Sequence, residues 1–69
     1  MFDEKYYLTS IGKILNSKYS INTYDHCIGE YNIKAIDKMI EKAKIEGDLS
    51  YDEWDIKKVA EKVAINQKR

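Results

Sequence analysis

The sequence predicts an all-α fold: a small bundle of three long helices plus one short helix, with a helical hairpin as its C-terminal half. Three segments place apolar residues three and four positions apart, which puts them on one face of an α-helix. Capping side chains or a helix-ending glycine flank two of these segments. One further segment alternates like a β-strand, but the sequence offers no second credible strand to pair with it. Residues 1–69 are therefore expected to form a single domain.

A chain of 69 residues has little core to stabilise it. Chains of this size bury only about 60% of the surface that the unfolded chain exposes. Cys27 is the single cysteine, so an internal disulfide is excluded, and one histidine beside it falls short of the ligand set of a structural zinc ion. We expect no cofactor. A partner subunit, including a second copy in a homo-oligomer, can supply the missing stability.

The first long helix is expected at about residues 3–17. Asp3 and Glu4 stand at its beginning, where the helix dipole favours negative charge. Gly12 weakens this helix by up to about 1 kcal/mol relative to alanine. The second interpretation of Gly12 is that it allows a close helix crossing. The apolar face consists of Tyr7, Leu8, Ile11, Ile14 and Leu15.

Residues 18–31 fit two patterns. Their first half alternates as in a strand, whereas helical spacing connects a set that extends to residue 31. That set consists of Ile21, Tyr24, Ile28 and Tyr31. Because an isolated strand would leave its backbone groups unpaired, we favour a short helix at 22–28, capped near Asn22 and ended by Gly29.

The clearest helix signal covers residues 33–46. Asn32 offers an N-cap oxygen immediately before it, and Gly47 stands where a left-handed residue ends a helix. The buried face is expected to contain Ile33, Ile36, Met39, Ile40 and Ala43.

The last helix is expected at about 51–65. Ser50 and Glu53 have the spacing of a capping box, and Leu49 and Trp54 match a hydrophobic staple. The buried face is expected to contain Ile56, Val59, Ala60 and Val63. The helix should fray near residue 66, which leaves 67–69 as a solvated tail.

Only residues 47–49 separate the last two helices, so these helices must pack as an antiparallel pair or a steep corner. From residue 36 to about 62, this hairpin resembles the short C-terminal (SHOCT-type) helical hairpin of many bacterial proteins. The resemblance is carried by Gly47, Leu49, Ser50, Glu53, Trp54 and Lys58. It implies an interaction or oligomerisation module without chemistry of its own.

The charge balance argues against a nucleic-acid-binding protein. Twelve basic and twelve acidic residues cancel, whereas phosphate neutralisation normally requires a basic excess. Lys34, Lys38 and Lys42 lie on one face of the third helix and are the candidates for nucleic-acid contact, but Asp37 and Glu41 beside them favour a solvated, salt-bridged face. The alternative function is a helix-turn-helix DNA-binding regulator that inserts one of the last two helices into the major groove.

Adjacent Asp25, His26 and Cys27 raise the question of nucleophilic catalysis or of a metal site shared across an oligomer. Neighbouring side chains on a helix or strand point apart, whereas a nucleophile and its base converge from separate parts of a fold. We therefore expect a buried cysteine beside an exposed histidine, and no enzyme activity.

The expected function is that of a non-enzymatic protein–protein interaction module. Trp54 either folds onto Leu49 as the staple or forms an exposed patch with Ile65, and tryptophan is enriched at interface hot spots. The residues predicted to bind a protein partner are Trp54, Ile65, Lys58, Tyr24 and Tyr31.

Frequent Lys, Ile, Asn and Tyr suggest an AT-rich genome, that of a low-GC bacterium or of one of its phages or plasmids. Small size, neutral charge and lack of chemistry suit a phage- or plasmid-encoded inhibitor or adaptor of a larger host protein. Charge occupies the N-terminal positions where a signal peptide requires apolar residues. No stretch approaches the roughly 20 apolar residues of a membrane span. We expect a cytoplasmic protein that does not enter membranes.

Overall fold

The computed structural model describes residues 3–46 and 55–67, which form three helices and a small β-hairpin. In chain order these are α1 (Glu4–Lys18), β1 (Tyr24–Asp25), β2 (Glu30–Tyr31), α2 (Ile33–Glu46) and α3 (Ile56–Gln67). The predicted helical bundle is therefore confirmed in outline. None of the helices in the described ranges is long and apolar enough to cross a membrane.

Helix α1 begins and ends with local hydrogen bonds. Asp3 is its N-cap, since the carboxylate Oδ1 accepts a hydrogen bond from the Tyr6 N–H at 3.0 Å. At the other end, the N–H groups of Tyr19 and Ile21 both donate to the Leu15 carbonyl, at 3.3 and 2.9 Å. Ser20 between them adopts a left-handed conformation with φ 57°, which turns the chain out of the helix.

The short helix predicted at 22–28 is wrong, because a β-hairpin stands in its place. β1 pairs with β2 in antiparallel register, with Tyr24 opposite Tyr31 and Asp25 opposite Glu30. Gly29, with φ 71°, ends the intervening turn and donates its N–H to the Asp25 carbonyl at 2.9 Å. The second strand lies immediately after this glycine, so the backbone groups of the first strand are paired locally.

The N-cap predicted for α2 is confirmed. The Asn32 Oδ1 accepts a hydrogen bond from the Ala35 N–H at 3.0 Å, and the Asn32 carbonyl accepts one from the Ile36 N–H at 3.0 Å. The predicted face is inward, since Ile36, Ile40 and Ala43 are buried. Gly47, which was predicted to end this helix, lies outside the described residues.

Helix α3 begins at Ile56 instead of residue 51. Asp55 caps it through Oδ1, which accepts hydrogen bonds from the N–H groups of Lys57 and Lys58 at 2.9 and 3.4 Å. The helix continues to Gln67 instead of fraying at Asn66, which is buried. The predicted capping box and hydrophobic staple lie outside the described residues.

The core forms where the three helices meet, and α1 packs most extensively against α3. Its buried apolar residues are Leu8, Ile11, Leu15, Ile36, Ile40, Ala43, Val59, Ala60, Val63 and Ala64. Gly12 allows the close crossing that was the second interpretation of this residue. A Cβ atom there would lie 2.6 Å from the Cδ1 of Ile36 and 3.1 Å from the Oγ1 of Thr23. The Thr23 hydroxyl uses this space to donate a hydrogen bond to the Gly12 carbonyl at 2.8 Å, which attaches the hairpin to α1.

Candidate interaction surface

The turn of the β-hairpin presents an aromatic and apolar cluster, which we call the hairpin surface: Tyr24, His26, Cys27 and Ile28. The Tyr24 ring meets the His26 ring edge-on, with centroids 4.9 Å apart and an interplanar angle of 64°. Its cross-strand neighbour Tyr31 also packs edge-on against the Tyr24 ring, with centroids 5.1 Å apart and an interplanar angle of 85°. Ile28 leaves 64% of its surface exposed in the turn. The arrangement therefore combines ordered rings with an apolar side chain that projects into solvent.

Local hydrogen bonds hold this turn in shape. The Asp25 Oδ1 accepts from the Cys27 N–H at 2.9 Å, and the Asn22 Oδ1 accepts from the Tyr24 N–H at 3.2 Å. The hairpin is closed by the Asn32 N–H, which donates to the Thr23 carbonyl at 2.8 Å. These bonds explain why Asn22 does not cap a helix: its side chain instead bonds to the backbone two residues on, as asparagine does in turns.

The Asp25, His26 and Cys27 side chains have separate surroundings. The Asp25 carboxylate bonds to the turn backbone, the His26 ring packs on Tyr24, and Cys27 is a free, exposed thiol. The prediction of a buried cysteine is therefore wrong, because a position expected inside a helix lies in the exposed turn. Across 3–46 and 55–67, no group of three or more His, Cys, Asp or Glu residues is placed to hold a metal ion.

The predicted partner-binding residues fall into two regions. Tyr24 and Tyr31 belong to the hairpin, where both are half-buried. Lys58 and Ile65 are exposed on α3, two helical turns apart and so on one side of it. Tyr24 and Tyr31 pack on each other, whereas Lys58 and Ile65 belong to a helix that packs mainly on α1 and α2. Trp54 lies outside the described residues.

Lys34, Lys38 and Lys42 are exposed on the side of α2 opposite its buried face. Asp37 and Glu41 lie beside them and are also exposed. None of these five side chains forms an ion pair with another residue of the described ranges. The predicted solvated face is present, but its predicted salt bridges are not formed within that part of the chain.

Sequence reasoning missed a groove between the end of α1 and the start of α3. It has a volume of about 230 Å³ and is lined by Ile14, Ser17, Lys18, Tyr19 and Lys57. We call it the lysine groove. The Lys18 Nζ lies 5.6 Å from the centroid of the Tyr19 ring, a cation–π arrangement. No local sequence pattern predicts this groove, because its two lysines come from helices that are distant in the chain.

The start of α3 also acts on a tyrosine of α1. Burial raises the pKa of the half-buried Tyr7, and the negative charge of Asp55 raises it further. Both effects disfavour the phenolate, so Tyr7 is a neutral side chain at physiological pH.

Comparison of the chain with protein-family models, with curated proteins and with solved structures finds no match. The resemblance of residues 36–62 to the SHOCT-type hairpin therefore stays a prediction.

Proposed function

We propose that this chain is a non-enzymatic module that binds another protein, and that the hairpin surface is its main docking site. The observation that carries the proposal is Ile28, which is 64% exposed in an ordered turn that also contains His26, whose ring packs on Tyr24. Burying an isoleucine side chain contributes about 1.5–3 kcal/mol, so this residue offers a partner a substantial gain.

Single exposed apolar residues are common, and the chain has others in Tyr6, Ile45 and Ile65. Ile45 is flanked by Lys44 and Glu46, so a partner would have to desolvate charges to cover it. The neighbours of Ile28 in the turn are Cys27 and Gly29, which carry no fixed charge. This difference favours the hairpin surface over Ile45, and it does not separate Ile28 from Ile65, whose neighbours Ala64 and Asn66 are also uncharged.

The order of the turn supports the same choice. Its backbone is fixed by the Asp25 hydrogen bonds and by the attachment of Thr23 to Gly12. Binding through a flexible segment usually costs the free energy of ordering that segment. Because this turn is already ordered, that cost is small here.

In its more specific form, the proposal makes the chain a cytoplasmic inhibitor or adaptor from a phage or plasmid, which covers a surface of a larger host protein. Small size and a net charge of zero support this form. Ile65 and Lys58 on α3 would then contribute a separate, secondary contact. A homo-oligomer through the hairpin surface is the variant in which the partner is a second copy.

The test compares the wild type with Ile28→Asp and with Ile45→Asp, a matched control that places the same change at an exposed site on α2. Each protein is immobilised and exposed to lysate of the cells that encode the gene, and sedimentation at several concentrations measures self-association. We expect Ile28→Asp to reduce binding of the retained protein, or dimer formation, at least tenfold. We expect Ile45→Asp to bind like the wild type. Equal binding by all three proteins, or an equal loss in both variants, refutes the proposal.

A second candidate function is the DNA-binding regulator. It is favoured by three exposed lysines that have no ion-pair partner in the described ranges: Lys34, Lys38 and Lys42. Phosphate contacts by these lysines would make binding fall steeply with salt. A gel shift with duplex DNA at 50 and 200 mM salt, using Lys34→Glu/Lys38→Glu as the variant, decides the matter. No shift at low salt removes this candidate.

A further inference from the structure

We infer that the lysine groove is a second binding site, which takes a carboxylate-bearing side chain from an acidic, partly apolar peptide segment. The inference concerns a region other than the hairpin surface. It rests on the shape of the groove, its charge and the character of its lining.

The lining combines two cations with apolar surface. Lys18 comes from the last turn of α1 and Lys57 from the first turn of α3, and both are exposed. Ile14 and Tyr19 are half-buried between solvent and core. No carboxylate is among the described residues that line the groove. A ligand that fits must therefore offer negative charge together with an apolar portion.

The nearest charged groups along the chain do not cancel this excess. Lys13 lies one turn before Ser17 and adds positive charge, while Asp55, two residues before Lys57, brings a single negative charge, so the surroundings of the groove stay positive. The Ser17 hydroxyl donates to the Lys13 carbonyl, so its oxygen remains able only to accept. Neither lysine of the groove forms an ion pair in the described ranges.

The position of Lys57 is unfavourable for the helix itself. A cation in the first turn meets the positive end of the helix dipole, so its charge does not stabilise α3. Lys18, by contrast, sits at the favourable end of α1 and is held over the Tyr19 ring. The groove thus has one ordered ammonium group, that of Lys18. The charge of the second, Lys57, does not contribute to the stability of α3.

The size of the groove decides between ligand classes. About 230 Å³ is less than the roughly 300–1,000 Å³ of sites that enclose a whole small molecule. One or two amino-acid side chains suit this volume better than a nucleotide. Two cations in a chain of zero net charge are also few for a nucleic-acid track, which needs many phosphate contacts. We therefore favour an acidic peptide over nucleic acid.

The experiment titrates ¹⁵N-labelled protein with a blocked pentapeptide in which two glutamates flank a leucine. We expect amide shifts concentrated at residues 14–19 and 56–58, with a dissociation constant of about 1 mM. The same peptide with glutamines in place of glutamates should produce no saturable shift. A three-nucleotide oligothymidylate, whose two phosphodiesters match the charge of the two glutamates, should bind more weakly than the acidic peptide.

Three variants locate the site. Lys18→Gln and Lys57→Gln should each weaken peptide binding about threefold, the effect expected of an exposed ion pair, whereas Lys5→Gln, an exposed lysine elsewhere on α1, should not. Circular dichroism shows that each variant is folded. The inference is overturned by shifts that lie outside the groove, by equal losses in all three variants, by an equal response to the glutamine peptide, or by tighter oligothymidylate binding. Ile28→Asp should bind the peptide like the wild type, so failure of the hairpin proposal can be told apart from failure of this one.

Discussion

Replacing Gly12 with alanine tests whether the bundle depends on a close contact between α1 and α2. The added Cβ would stand 2.6 Å from the Cδ1 of Ile36, a fully buried side chain, and 3.1 Å from the Oγ1 of Thr23. Ile36 therefore cannot move into solvent, and a shift of Thr23 strains its hydrogen bond to the Gly12 carbonyl. Overpacking of this kind costs about 1–3 kcal/mol.

The same substitution also favours the helix, because alanine has a higher helix propensity than glycine by about 1 kcal/mol. The net expectation is a loss of about 1 kcal/mol, with an upper limit of about 2. For a domain of this size each kcal/mol corresponds to about 4–8 °C in Tm. Thermal unfolding followed by circular dichroism should thus show Gly12→Ala melting about 4–8 °C below the wild type, and at most about 16 °C below it.

Two further variants separate the contact from other effects. Asn16→Ala, at an exposed position of α1, should raise stability slightly, since it changes only helix propensity. Ile36→Val removes the atom that would clash, at its own cost of about 0.5–1.5 kcal/mol. The double variant should then lose less stability than the sum of the two single losses. A Gly12→Ala protein that melts above the wild type, or strictly additive losses, would refute the reasoning.

Two other predictions concern α3 and its neighbour in α1. Asn66 is 6% exposed, and its Nδ2 has no hydrogen-bond partner in the described ranges. The isosteric Asn66→Leu should therefore raise the free energy of unfolding by about 1–2 kcal/mol. Urea unfolding measures this change, and Asn16→Leu, which replaces an exposed asparagine, is the control. The raised pKa of Tyr7 means that its stabilising contribution is complete below the unfolded-state pKa of about 10 and is lost as pH rises through the folded-state pKa. Tyr7→Phe should therefore lose less stability than the wild type between pH 9 and 11. An equal loss in both proteins would show that other groups account for the alkaline transition.

The helices could be predicted where a local signal decides the structure. Asn32 precedes a run of helical periodicity, and the structure uses its side chain as the predicted cap. For α3 the predicted cap was Ser50, and Asp55 was not considered; Ser50 lies outside the described residues. In the structure Asp55 satisfies the first N–H groups of the helix, so α3 begins after it.

The hairpin could not be predicted from periodicity, because the same residues fit a helix and a strand. What decides the structure is the turn ended by Gly29, together with the contact of Thr23 with Gly12, which joins residues distant in sequence. This error also hid the hairpin surface. As a member of a helical set, Ile28 would face the core, whereas in the turn it is exposed.

The predicted surface residues were partly informative. Tyr24 and Tyr31 lie where an aromatic cluster forms, although the prediction did not place them opposite each other on paired strands. The lysine groove depends on the packing of α1 against α3, which helical periodicity alone does not specify.

The extensive packing of α1 against α3 has a consequence for how the chain acquires its structure during synthesis. The interior is completed by the core residues of α3, which are translated after those of α1 and α2; they are Val59, Ala60, Val63 and Ala64. A ribosome-bound chain that ends before them leaves Leu8, Ile11 and their neighbours with one side in water. We expect the bundle to assemble in a single cooperative step only after α3 has left the ribosome, with the earlier segments held as transient helices until then.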